Sequence, residues 1–405
     1  MEGWCGWVMV GAAVLTPPLA WVGPLGFAPL LGLVGLLCLP AFRLTDEDRP
    51  IAVVLLAVLV WAAVTTAWSP YRPDDLDRSV ALKLALQLPL YWSAWCGARR
   101  AAPALRRLAL SVLAWGLAIV GVVMLAEAAT GGAIYQALRA AIGDPTRPDL
   151  AGKNLAQGTF VLAVLWPVAA AGGVRAGRPW ALGLLMVLGT ATAALVFLAD
   201  APVLAVGLSL LVGAAAWTWP RSAPRGLGVA AAAYVLLAPA VTLGMRALGR
   251  GFGLHVEAPA SWAQRMDYWS HAVDFIAEHP LRGWGLDASR AFSPAIQLHP
   301  HNGSLQIWLE LGAPGAILAA LVWLFVLRRL SRETPDLAAT AGAASATAYL
   351  VFAAVNFGVW QEWWLALGGL AAVVVGLMDG ADLTPARAAD RRSAAKSSTS
   401  AGFSG

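Results

Sequence analysis

The chain holds five histidines in 405 residues, and all five lie between His255 and His301. Three arginines (Arg265, Arg282 and Arg290) share that stretch, and Arg246 lies shortly before it. Imidazole is the side chain whose ordinary pKa suits proton transfer near neutral pH. Guanidinium forks grip phosphate and carboxylate oxygens and steady charge that develops on them. Together they suggest a base working beside an anionic group. The densest part is "LHPHNGSLQIWLELGAPG", from Leu298 to Gly315, in which His299 and His301 precede a long apolar run. His301 is the candidate base, and His299 is its assistant or a phosphate contact. A metal is the weaker reading. No Cys and no His-x3-His spacing joins the pair, so neither metal nor cofactor is expected.

The elements that must carry these residues are apolar. The hydrophobic fraction is 59% against 13% charged residues, about half the charge of a soluble domain. Runs long enough to span a bilayer recur throughout, and helices satisfy their own backbone groups in lipid. The expected fold is an all-α polytopic membrane protein with about twelve transmembrane helices. They fall near 4–22, 25–42, 51–68, 80–97, 104–129, 153–171, 180–199, 202–219, 226–246, 303–327, 338–358 and 361–378. The opening "MEGWCGW" has no basic n-region, so the first run reads as a retained span.

Charge sets the orientation. Arg43, Arg49, Arg99, Arg100, Arg106, Arg107, Arg175, Arg178, Arg221, Arg225, Arg328, Arg329, Arg332 and the basic tail fall in one alternate set of connections. The opposite short loops hold only Arg72, Arg78, Arg139, Arg147 and Lys153. The positive-inside rule puts the first set, and both termini, in the cytoplasm. Cys5, Cys38 and Cys96 then lie near the reducing face. The net charge of +5 is a topology signal, not a nucleic-acid footprint. The layout is a transmembrane domain over 1–379, a long outer loop over 247–302 between spans 9 and 10, and an Ala/Ser-rich tail over 380–405 that reads as disordered.

Inside the loop, Trp262, Met266, Trp269, Val273 and Ile276 recur at helical spacing. Ser261 and Gln264 read as a capping box, and Pro280 as the stop. Four charged residues argue that this helix lies along the membrane surface. Arg265 borders its apolar stripe. Asn302-Gly303 reads as a turn, which puts His301 at the outer mouth of span 10. Glu310 follows about 13 Å further along the helix. At that depth it faces protein or water and reads chiefly as a brace for a kink near Pro314, with substrate contact as its second role.

These residues resemble the O-antigen ligase and O-antigen polymerase superfamily of bacterial envelope proteins. The match is His301, Asn302, Leu305, Gln306, Glu310, Gly312 and Gly315, preceded by Arg265, Trp269, Pro280, Gly283 and Gly285. A fainter match is "GKNLAQGTFVLAVLWP", with Asn154 at the start of span 6. The resemblance implies a metal-independent glycosyltransferase in the bacterial inner membrane, acting at the periplasmic face. Its implied donor is a glycan on undecaprenyl diphosphate, and its acceptor is lipid A-core or another lipid-linked repeat. Membrane lipids are its other partners. It assigns catalysis to His301 and Arg265, with His299, Asn302, Arg282, Arg290, Arg246, Lys153 and Glu310 as candidate substrate contacts. One departure stands out. Family members often carry a Ser-Arg pair at the outer end of span 7 or 8, where this chain has Asp200-Ala201-Pro202. Lys153, Arg147 or Arg246 are the candidate replacements; otherwise substrate or activity has changed.

Plainer roles compete. His255, His271 and His279 read as surface residues, Arg265 as a headgroup contact, and Asp74, Asp75 and Asp77 as an acidic loop. Lys83 snorkels or lines a cavity. Competing functions are a transporter or flippase of lipid-linked glycan and an inactive assembly subunit of a polysaccharide export system. Against a transporter, the two halves show no matching pair of interrupted spans.

Overall fold

The computed structural model describes residues 1–252 and 260–379. His255 and the predicted tail over 380–405 lie outside the described residues. The described chain is all helix: α1 (Glu2–Val22), α2 (Phe27–Leu37), α3 (Arg49–Thr65), α4 (Val80–Arg100), α5 (Pro103–Thr130), α6 (Ala133–Ala141), α7 (Pro148–Arg175), α8 (Ala181–Val196), α9 (Asp200–Thr218), α10 (Ser222–Phe252), α11 (Ala260–Glu278), α12 (Gly303–Arg329), α13 (Leu337–Val355) and α14 (Glu362–Met378). Among the described residues, seven helices are long and apolar enough to cross a membrane, and four shorter apolar helices accompany them. The fold is therefore a multi-pass helical membrane bundle.

Two ends of the bundle differ in chemistry. At one end, Asp48 is buried between Arg99 at 3.6 Å and Arg329 at 3.4 Å. Arg175 pairs with Asp336, Arg221 with Glu333, and Arg106 donates to the Asp379 carbonyl. The predicted basic set thus gathers at one end and ties neighbouring helix ends together. At the opposite end the α3–α4 connection meets the segment after α11. Ser69 Oγ donates to the Leu286 carbonyl, and the Leu286 N–H donates to Thr65 Oγ1.

Helix α11 forms where the spacing predicts, but its apolar stripe covers protein. Trp269, Ala272, Val273 and Ile276 are buried against Ile296, Leu305, Leu309 and Ala238. Burying side chains of this size stabilises by about 1.5–3 kcal/mol each. The contacts on α10 and α12 therefore outweigh use of the stripe as a membrane float, and of its members Met266 is exposed. The predicted capping box is absent. Ser261 lies inside the helix, and the Gln264 amide donates to the Tyr268 hydroxyl at 2.7 Å.

The break in α12 is the feature that positions the site. Gly312 leaves the helical region, with φ 64° and ψ −163°. Pro314 has no N–H to offer the Glu310 carbonyl. That carbonyl instead accepts from the Gly285 N–H at 2.8 Å, and the Leu309 carbonyl accepts from the Trp284 N–H at 2.8 Å. The Ala313 N–H turns to the Pro280 carbonyl, and Trp61 Nε1 donates to the Leu311 carbonyl. The "RGWGLD" strand thus supplies the hydrogen bonds that the broken helix gives up. Backbones approach so closely that a Cβ on Gly312 would lie 2.4 Å from the Leu281 carbonyl oxygen. One on Gly283, at φ 67°, would lie 2.4 Å from the Glu310 carbonyl oxygen. Only glycine fits both the contact and the left-handed backbone.

Candidate functional site

Asn302 caps α12: its Oδ1 accepts from the Leu305 N–H at 3.0 Å, and its Nδ2 donates to the Tyr234 hydroxyl at 2.9 Å. The predicted Asn302-Gly303 turn is instead this cap, and Gly303 is the first helical residue. Asn302 is 3% exposed, and both ends of its amide are engaged in holding the helix start.

The cap leaves His301 just outside the helix, at φ 55°. That left-handed conformation is uncommon for histidine and is held by the contacts on either side. Its Nδ1 lies 3.0 Å from the His299 carbonyl oxygen. A carbonyl only accepts, so Nδ1 carries the proton and Nε2 keeps its lone pair. The ring stacks on Tyr268 at 5.9 Å and lies tilted against His299 at 4.3 Å. Burial first, and then the positive charge of Arg265, hold His301 below the ordinary imidazole pKa. At neutral pH it is an unprotonated base with a fixed tautomer.

His299 sits deeper. Its Nδ1 accepts from the His301 N–H at 3.1 Å, so the neutral ring carries its proton on Nε2. Nε2 donates to the Gln361 side-chain amide when that amide turns its oxygen, otherwise without a partner, toward the ring. Burial, with His301 and Arg290 adding to it, pushes its pKa down to about 3. His299 is thus a neutral wall that orients His301, and not a cation for a phosphate.

The four loop arginines separate. Arg265 is half-buried on α11, one turn before Tyr268, with its guanidinium 5.2 Å over the Trp262 ring. Among the described residues it makes no ion pair within 4.0 Å, although Asp200 is near enough to favour its charge. Arg246 is committed to Asp274 at 2.8 Å and ties α10 to α11, so it is no free replacement for the missing arginine. Arg290 pairs with Asp287 at 2.9 Å and faces Tyr71. Arg282 is exposed and joins neither group. Lys153 is exposed on the first turn of α7, with no contact to this cluster.

Glu310 is fully buried, and each carboxylate oxygen accepts twice. Oε1 takes Ser289 Oγ and Gln306 Nε2, and Oε2 takes the Asp287 N–H at 2.7 Å and Trp360 Nε1 at 2.6 Å. No lone pair remains for a substrate. Glu310 is the brace of the α12 break, and the substrate-contact reading is set aside.

The sequence reading missed Tyr268 and Tyr234. Tyr268 follows Arg265 by three residues, so a helical wheel puts both on one face. Tyr234 is a lone hydroxyl within an apolar run, which by itself points to a buried partner. Two cavities flank the site. One, about 410 Å³, is polar and lies between the start of α4, the 287–299 segment and the start of α14. The other, about 500 Å³, is almost wholly apolar and runs from Gly303 and Ser304 to Arg329 between α3, α4, α12, α13 and α14.

Residues 180–320 match the family model described as O-antigen ligase. A protein of Rickettsia conorii named as a candidate polysaccharide ligase is 29% identical over 133 residues, covering 29% of this chain and 32% of the relative. A protein of Rickettsia bellii with the same designation is 31% identical over 122 residues, covering 26% of this chain and 29% of the relative. The match thus spans about a third of the length of those curated relatives.

Proposed function

We propose that this chain, whose residues 180–320 match the O-antigen ligase model, acts as members of that superfamily do and transfers a glycan from a lipid diphosphate carrier to a sugar hydroxyl. The observation that carries the proposal is the juxtaposition at the mouth of α12. A neutral, tautomer-fixed His301 stands beside a half-buried Arg265 that has no carboxylate partner among the described residues.

The chemistry follows from those two groups. His301 Nε2 takes the proton of the acceptor hydroxyl as its oxygen bonds to the donor's anomeric carbon. The bond from that carbon to the diphosphate oxygen breaks, and the diphosphate leaves with its electron pair. Arg265 stabilises the charge that grows there. A buried Arg without a counter-ion is poised for an arriving diphosphate, which supplies the charge it lacks. With Asp200 where an arginine is expected, Arg265 carries that task alone. The apolar cavity suits the carrier's lipid chain. We further assign undecaprenyl diphosphate as carrier and lipid A-core or a second lipid-linked repeat as acceptor. The bundle crosses the bacterial inner membrane twelve times, with both termini cytoplasmic and the site periplasmic.

The test is complementation of a deletion strain, with its envelope polysaccharide separated on a gel. Loss of long glycan with single repeats left on the core means polymerisation. Long glycan accumulating on the lipid carrier means ligation. Normal polysaccharide from inserted His301→Asn and Arg265→Ala variants would sink the transferase reading.

A further inference from the structure

The polar cavity of about 410 Å³ lies outside the machinery just described: His299 forms part of its wall, and neither His301 nor Arg265 lines it. Its volume falls in the range that holds a small ligand. Its charges are matched one for one. Lys83 Nζ lies 2.6 Å from Glu362 Oε1, and Arg290 Nε lies 2.9 Å from Asp287 Oδ1. Arg78 at the rim pairs with Asp74. Trp360 forms part of the lining, its ring pinned by the bond from Nε1 to Glu310. Sequence position alone would not group these residues, since Lys83, Trp360 and Glu362 all lie outside the matched 180–320 segment.

The pairing decides the ligand class. An anion would have to compete with Glu362 and Asp287 for cations already held, at a desolvation cost. A cation meets the same obstacle from Lys83 and Arg290. Among the described residues there is no cluster able to hold a metal ion. An apolar ligand would leave two ion pairs facing it. A neutral polyhydroxy ring fits, because each hydroxyl both donates and accepts. Carboxylates accept from its hydroxyls, Lys83 and Arg290 donate to them, and the indole offers an apolar face for the ring's C–H groups.

We propose that this cavity is the acceptor-sugar subsite. The proposal rests on the transferase reading and adds the acceptor's place to it. Arg265 holds the diphosphate on the Tyr268 side of His301, so the donor's anomeric carbon lies at His301. The His299 ring, 4.3 Å from that of His301, forms part of the cavity wall. A hydroxyl of a sugar seated there reaches His301 past His299. The acceptor enters from the side opposite the leaving group, as in-line displacement requires.

The experiment uses the purified full chain in nanodiscs. The donor is lipid-linked glycan extracted from host membranes, and the acceptor is delipidated core oligosaccharide. Glu362→Gln and Arg290→Gln each remove one charge-assisted contact, so the KM for acceptor rises about tenfold. The KM for donor stays within about twofold, because these groups do not touch the diphosphate. The Arg290 and Glu362 side chains are 43% and 40% exposed, so neither variant opens a cavity in the core and both keep the bundle folded. Two outcomes overturn the subsite: an unchanged acceptor KM in folded Arg290→Gln, or a rise in donor KM instead. His301→Asn run in parallel separates the readings. Lost transfer there with unchanged acceptor KM in the other two removes the subsite alone. Retained transfer there removes His301 as the base, and absence of transfer by the parent chain removes the transferase reading and the subsite with it.

Discussion

Glu310 and His301 lie on the same short stretch of chain, yet their surroundings differ. Around Glu310 every polar group is answered: four donors meet one carboxylate, and loop N–H groups meet the carbonyls freed by the break in α12. Around His301 the account is left open. Nε2 keeps a lone pair, and Arg265 is half-buried without an ion pair among the described residues. A satisfied network rigidifies, because any change leaves a buried group unpaired. An unsatisfied pair costs stability and is retained where a ligand completes it. The motif therefore mixes two kinds of residue: Glu310, Gly283, Gly312 and Asn302 build the frame, while His301 and Arg265 are the pair to which we assign the chemistry.

That division can be broken by experiment. The largest effect belongs to His301→Asn. Asparagine tolerates the left-handed backbone at this position, so the fold survives while the base is lost. Transfer per folded protein should fall by about 10²–10⁴-fold. Arg265→Ala comes next, with a loss on the order of 10²–10³-fold in kcat, the usual cost of one charge-stabilising donor. Equal loss of kcat and kcat/KM would mark it as a transition-state contact, whereas a rise in KM alone would make it a lipid-headgroup anchor.

Glu310→Gln should act on the frame. Its amide nitrogen faces donors and cannot accept, which costs about 3 kcal/mol. The melting temperature in detergent should drop, while transfer per folded molecule stays within about twofold of the parent. A folded variant with lost turnover would move Glu310 into the chemistry and dissolve the contrast.

A pH profile sharpens the other side. Burial and Arg265 both hold the His301 pKa below the ordinary imidazole value. The base is therefore present at neutral pH and is lost only on acidification through that lowered pKa. Removing the cation in Arg265→Gln raises the pKa, so the acidic limb of the residual activity should move to higher pH. An unmoved limb would mean that Arg265 and His301 are not electrically coupled. The smallest effect is that of Arg282→Ala. An exposed loop arginine outside both clusters should change transfer by less than about twofold.

Legibility followed the range of the forces involved. The helices were readable, because apolar run length and 3.6-residue spacing are local properties. The basic set at one end of the bundle was readable for the same reason. His301 and Arg265 stood out by residue type, and α12 does begin just after His301. Other expectations failed where a distant partner decided the outcome. Ser261 does not cap α11, Gln264 reaches Tyr268 instead, and the apolar stripe of α11 covers α12 and not lipid. Arg246 looked free in the sequence, but Asp274 holds it. His299 read as an assistant of His301 or a phosphate contact, and burial, which keeps it neutral, favours the first.

The sequence by itself determined a multi-pass helical bundle, marked His301 and Arg265 by residue type, and put two glycines at a sharp turn after α11. The tertiary structure decided which polar groups are spent and which remain available. It set Lys83, Arg290 and Glu362 around one cavity from three distant parts of the chain. It also supplied the four donors around Glu310, which the sequence had marked chiefly as a brace. The reason is physical: a buried hydrogen bond or ion pair depends on distances of a few ångströms between residues far apart in sequence, and no local pattern encodes those distances.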